Sequence, residues 1–253
     1  MRAMILFGCV LVTACSASNQ VCRSTTTEIV GECLATLDLR PSTVRMRESA
    51  AGNLLADALL AEVPGADVAL VPAILFSQET SCGRREYLSR GQLTQTDVDE
   101  LVPAPDNVIL VHATTDDLRR VLEHSVSRLN TSLAEFPLFL HVAGLTFTAD
   151  CAEPPQTLTA DGREILFTGS RVSAVSIMLR GVPPVTGQML KVATVASMSL
   201  PTSGYIDLSR DGRVIEDTGR TPRELLAEHL RRKSPVDPKL EGRMVLKDSC
   251  ILD

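Results

Sequence analysis

Arg45 and Arg47 stand two residues apart in VRMRESAAGNLLADALLAE, and Glu48, Asn53 and Asp57 follow them. On an extended lead-in, side chains at that spacing point to a similar side. A helix starting just after them adds free backbone N–H groups and the positive end of its dipole. The chemistry this favours is weak retention of an anion such as phosphate or a carboxylate. In the alternative, Arg45 pairs with an internal acid, of which Glu48 is nearest in sequence. Asn53 and Asp57, one turn apart, read as local hydrogen-bonding residues on the rim of the buried face.

The elements that must position these residues alternate between helical and extended. Ser49 is a candidate N-cap, and Leu54, Leu55, Ala58 and Leu59 form an apolar stripe at helical spacing. Short buried strands are expected over 66–71 and 108–111, with a capped turn at Thr96-Asp97 between them. Thr114-Thr115-Asp116-Asp117 caps a helix whose buried face is Leu118, Val121, Leu122, Val126 and Leu129. Further strands are expected within 138–148, 171–179 and 188–196. Thr221-Pro222-Arg223-Glu224 is a capping box with proline at the first helical position. Mixed order of this kind indicates an α/β or α+β domain, a mixed sheet with packed helices.

With 253 residues, 44% of them hydrophobic, the chain can bury a full core. Its net charge of −6 and lack of a basic block argue against nucleic acid as a partner. Aromatic residues make up only 3%, a poor supply of base-stacking surface.

The N-terminus reads as a targeting segment. Met1-Arg2 is a minimal basic region, Ala3 to Val12 is a short apolar run, and Val12-Thr13-Ala14-Cys15 resembles a bacterial lipobox. The expected organisation is a lipoprotein signal peptide over 1–14, a tether over 15–37 beginning with a lipidated Cys15, and the domain proper over 38–253. The alternative is an ordinary secretory signal in which Cys15 has no role. The apolar run is too short to span a bilayer. If lipidated, the chain is membrane-anchored in the cell envelope, and Ser16 after the cysteine favours the outer membrane. Export would tend to pair cysteines, and Cys22 with Cys33 is the expected pair, because they close a short loop. With no CxxC spacing, neither a zinc site nor a dithiol redox centre is expected.

Several blocks in order, RMRESAAGNLLADALL, ADVALV, GQLTQTDVDELVP, LRRVLEHSVSRL, FLHVAGLTFTAD and GSRV, resemble the C-terminal domain of the 5'-nucleotidase and UDP-sugar hydrolase family over roughly residues 38 to 247. The resemblance implies a domain that holds the substrate nucleoside, while a separate metallophosphoesterase domain carries two metal ions and the hydrolysis. The Asp and His runs of that catalytic domain have no match here, and no room for it is expected upstream. None of His112, His124, His141 and His229 repeats its metal motifs, so each reads as a structural histidine. No catalytic residue, metal ligand or cofactor is therefore assigned.

The resemblance also implies an altered pocket. Arg45 matches the family's substrate-facing arginine. Where the family has an Asn-Gly-Gly-Gly-Ile-Arg-like run, this chain has Val71 to Ser77. Pro103-Ala104 replaces proline-phenylalanine, Ser197 stands for a second stacking aromatic, and Pro201-Thr202-Ser203-Gly204-Tyr205 lacks the ribose-binding acid. These differences lead to the expectation of an exported, non-catalytic recognition domain with a weak anion or nucleotide-like ligand. The alternatives are a subunit in nucleotide catabolism that works in trans with a metallophosphoesterase partner, and a structural envelope protein.

Overall fold

A computed structural model of the chain describes residues 27–76, 85–103, 106–131, 135–210 and 212–250. Cys15, Cys22, Ser77 and Ala104 lie outside the described residues. The first half contains β1 (Ile29–Cys33), β2 (Leu37–Asp38), α1 (Pro41–Val44), α2 (Ala50–Glu62), β3 (Val68–Pro72), β4 (Tyr87–Leu88), β5 (Gly91–Thr94), α3 (Gln95–Leu101), β6 (Val108–Thr114) and α4 (Thr115–Val126). The second contains β7 (Leu140–Ala143), β8 (Leu145–Ala149), β9 (Thr157–Leu158), β10 (Ile165–Phe167), β11 (Met178–Leu179), β12 (Met189–Val195), α5 (Ile206–Ser209), β13 (Val214–Asp217), α6 (Pro222–Lys233) and β14 (Met244–Leu246). The mixed α/β class expected from the sequence is the class observed.

The central sheet has the order β13-β6-β12-β3-β7. β12 runs parallel to β3, and the other neighbours are antiparallel. All five residues of β3 are buried, as the continuous apolar run Val68 to Val71 requires of an interior strand. Helix α2 packs on β3 and β7, α4 packs on β6, and α6 covers α2 and β1. A second sheet, β11-β8-β14, holds the C-terminal segment.

Ser49 caps α2 by accepting from the Gly52 N–H, and Thr114 and Thr221 form the expected capping boxes with Asp117 and Glu224. For α3 the cap is Thr94, not Thr96, because Thr94 places Asp97 at the third helical position, where each side chain satisfies the other's backbone N–H. The extended stretch within 138–148 divides between the two sheets at Gly144. There φ is +78°, and an added Cβ would stand 2.6 Å from the Asp67 carbonyl oxygen.

Three expectations fail. Residues 29–37 are not tether: β1 pairs with β5, β2 pairs with β4, and Val30, Cys33 and Leu37 are buried. Cys33 has no disulfide partner. Its thiol is buried, donates to the Ala35 carbonyl, and has its pKa raised, chiefly by that burial. A disulfide instead joins Cys151 to Cys250, 99 residues apart. Finally, 171–179 is mostly not a strand. The Arg171 side chain turns inward to donate to the carbonyls of Val126 and Leu129, residues 174–176 form a 3-10 turn, and only Met178–Leu179 is extended.

Candidate functional site

The topology gathers the chemically informative segments at one edge of the central sheet. β3 and β12 are parallel, so Pro72 and Val195 end on the same side. The antiparallel partners begin there: Val108 of β6 lies opposite Val195, and Leu140 of β7 lies opposite Pro72. Hydrogen bonds tie the turns together, Ala73 N–H to Phe139 O, Ala196 N–H to Asn107 O, and Tyr205 O–H to Leu138 O. A crevice outside the carboxyl ends of parallel strands is the general ligand position in open α/β sheets.

Arg45 is brought to this edge by a histidine whose sequence context marks it only as structural. His141, in the second position of β7, is fully buried, and its Nε2 lies 2.9 Å from the Val44 carbonyl oxygen. A carbonyl only accepts, so Nε2 carries a proton. Burial holds its pKa down at about 4. Arg45 follows as the C-cap of α1, with Nη1 3.9 Å from Glu135 Oε2. The lead-in is thus a helix and a turn, not an extended segment.

Arg45 and Arg47 consequently have different surroundings. Arg47 is exposed and lines a cavity with Met46, Glu48, Leu240 and Met244. Glu48 is engaged by other groups: its Oε1 accepts from Asn53 Nδ2 at 2.6 Å and from the Glu241 N–H at 2.8 Å. Nor are Asn53 and Asp57 local rim groups. Asn53 also donates to the Lys239 carbonyl, and Asp57 receives both terminal nitrogens of Arg243 at 2.8 Å. Both residues hold the C-terminal segment against α2.

The turn after β3 runs from Ala73 to Phe76, with Ala73, Leu75 and Phe76 buried and the Phe76 ring edge-on to His141. Across the edge, the Ser197 N–H donates to both carboxylate oxygens of Asp106, at 3.4 and 3.2 Å. Asp106 carries no periodic or motif signal, and sequence reasoning missed it. His124, on α4, contacts the rings of Phe136 and Tyr205, and burial lowers its pKa to about 4. The His229 ring lies 3.2 Å from Glu62. Among the described residues, no group of three or more His, Cys, Asp or Glu side chains is arranged to hold a metal ion.

Fold and sheet edge together define a nucleotidase-type substrate-binding domain. Residues 24–205 match the 5'-nucleotidase C-terminal domain, and the chain belongs to that family. Among curated proteins it is 25% identical over 228 residues to the trifunctional nucleotide phosphoesterase YfkN of Bacillus subtilis, covering 86% of this chain and 14% of that protein. To the 5'-nucleotidase of Diplobatis ommata it is 22% identical over 232 residues, covering 88% and 37%. It therefore spans little more than a third, or less, of these relatives. Among solved structures, the 5'-nucleotidase precursor of Thermus thermophilus superposes with a TM-score of 0.72 at 23% identity, covering 88% of this chain and 40% of that one. The NAD nucleotidase of Haemophilus influenzae gives 0.66 at 16% identity, covering 87% and 38%.

Proposed function

We propose that the chain is an exported, non-catalytic recognition domain that keeps the family's anion contact at Arg45 and has lost its nucleoside selectivity. The carrying observation is the turn after β3, where the buried side chains of Ala73, Leu75 and Phe76 stand in place of the family's glycine-rich run. Ser197 and the Pro201–Ser203 turn bring neither an aromatic ring nor an acid to the same edge. Base stacking contributes about 1–3 kcal/mol per ring. The two missing rings, at Ala104 and Ser197, thus weaken nucleoside binding by tens-fold to ten-thousand-fold, roughly.

The test is a titration of phosphate, AMP and UDP-glucose against wild type and Arg45→Ala, followed by NMR shifts. Wild type is expected to bind phosphate and AMP equally, at millimolar concentration. Arg45→Ala should weaken both about ten-fold or more, the loss of a charge-assisted pair. Micromolar AMP binding would overturn the reading.

Two further outcomes follow. Assayed with Mn²⁺, Co²⁺ and Zn²⁺, the purified chain should give no chelator-sensitive release of phosphate from AMP or hydrolysis of UDP-glucose. Cys15→Ser should lose lipid labelling and cease to partition with detergent-extracted membranes, whereas identical fractionation of both proteins would remove the anchor. A second reading, service to a metallophosphoesterase in trans, is favoured by the names of the curated relatives. Turnover that appears only when such a partner is mixed in would select it.

A further inference from the structure

A cavity of about 240 Å³ opens between the α1–α2 turn and the β14 segment. Met46, Leu240, Met244 and Leu246 form its apolar wall, and two charged groups border it. Glu48 is committed to the wall, its Oε1 occupied by Asn53 Nδ2 and the Glu241 N–H. Arg47 is exposed, and its guanidinium has no hydrogen-bond or ion-pair partner among the described residues. An unpaired guanidinium therefore stands at the lip of an apolar hollow whose only other charge, among the described residues, faces inward.

We propose that this cavity binds a small aliphatic carboxylate, with its tail inserted between Met46 and Met244 and its head group paired with Arg47. The planar guanidinium favours a carboxylate through two parallel N–H···O bonds. The orientation follows from Glu48, whose negative charge in the wall repels a carboxylate from the interior and leaves only the lip for it. Thioether side chains adapt their shape to a flexible chain. The volume is below the ~300–1,000 Å³ of sites for drug-sized ligands. It gives room for a chain of about eight units at roughly 30 Å³ each. Among the described residues no aromatic ring lines the cavity, so nothing there would stack a base. The proposal is independent of the Arg45 site, because Arg45 does not line this cavity.

The test follows the methyl resonances of Met46 and Met244 in the intact domain during titration with acetate, hexanoate, octanoate and octanol. Hexanoate and octanoate should give saturable shifts, with octanoate about ten-fold tighter for its two extra methylenes. Acetate, which lacks the tail, should give none. Octanol should bind about five-fold more weakly than octanoate, the size of a surface charge pair, and Arg47→Gln should erase that difference. Leu240→Trp, at an exposed position of the apolar wall, should block the tail and abolish both responses. Equal binding of octanoate and octanol to wild type, octanoate binding unchanged in Arg47→Gln, or no saturable shift would overturn the proposal. So would a response to phosphatidylglycerol vesicles with none to octanoate. Phosphate, titrated in parallel, reports the Arg45 site separately.

Discussion

Replacing Gly52 with alanine is expected to destabilise the domain by about 3 kcal/mol or more, at the upper end of overpacking effects. Alanine is the better helix former by ~1 kcal/mol, so the sign depends entirely on packing. Gly52 is the third residue of α2, where the helix crosses β7, and a Cβ there would lie 2.1 Å from both Cγ and Nδ1 of His141. The ring has nowhere to retreat. Phe76 and Phe139 flank it edge-on with centroids 5.8 and 5.7 Å away, and Nε2 is bound to the Val44 carbonyl. Urea unfolding measures the loss, and adding His141→Gly to the same chain should restore much of it, a coupling expected only of touching residues. If Gly52→Ala unfolds like wild type, the close approach of α2 to β7 is wrong.

Acid should weaken the domain before its carboxylates titrate. His124 and His141 are each held at about 4 by burial, against an ordinary value of 6.5. Between those limits the unfolded chain binds protons that the folded one refuses, so stability is complete above pH ~6.5 and falls as pH drops toward 4. Each histidine contributes on the order of 3 kcal/mol to that loss. The slope near pH 5 should approach ~2.7 kcal/mol per pH unit for two protons. Arg128 beside His124 and Arg243 beside His141 act in the same direction. Glu123 opposes them: burial raises its pKa, so its contribution grows as the pH falls. Denaturation series from pH 7 to 4.5 should show the slope roughly halved in His141→Gln. A flat profile in wild type would show that the two rings reach water.

What could be read from the sequence was local. Thr114 and Thr221 were identifiable as caps because a capping box reaches only three residues. Thr94 was missed because Thr96 in the same TQTD run offers a similar pattern. β3, β6 and β12 were visible as apolar runs, and Gly144 shows why one extended stretch became two strands. Partners distant in sequence were not legible. Asp57 is bound to Arg243, 186 residues on, and no spacing rule connects them. The same holds for Glu48 with Glu241, for Cys151 with Cys250, and for the histidine that fixes the turn before Arg45. Of the candidate site, Arg45 is picked out by the resemblance alone, and the histidine that supports it leaves no signal in the sequence.

The clasp between α2 and residues 239–243 also sets a timetable for synthesis. Glu48, Asn53 and Asp57 leave the ribosome 186 to 193 residues before Lys239, Glu241 and Arg243. At ~5–20 residues per second, that is a delay of about 10–40 s. Throughout it, Glu48 lacks the Glu241 N–H and Asp57 lacks its guanidinium. The nascent chain therefore cannot close this clasp until residues 239–243 have been made.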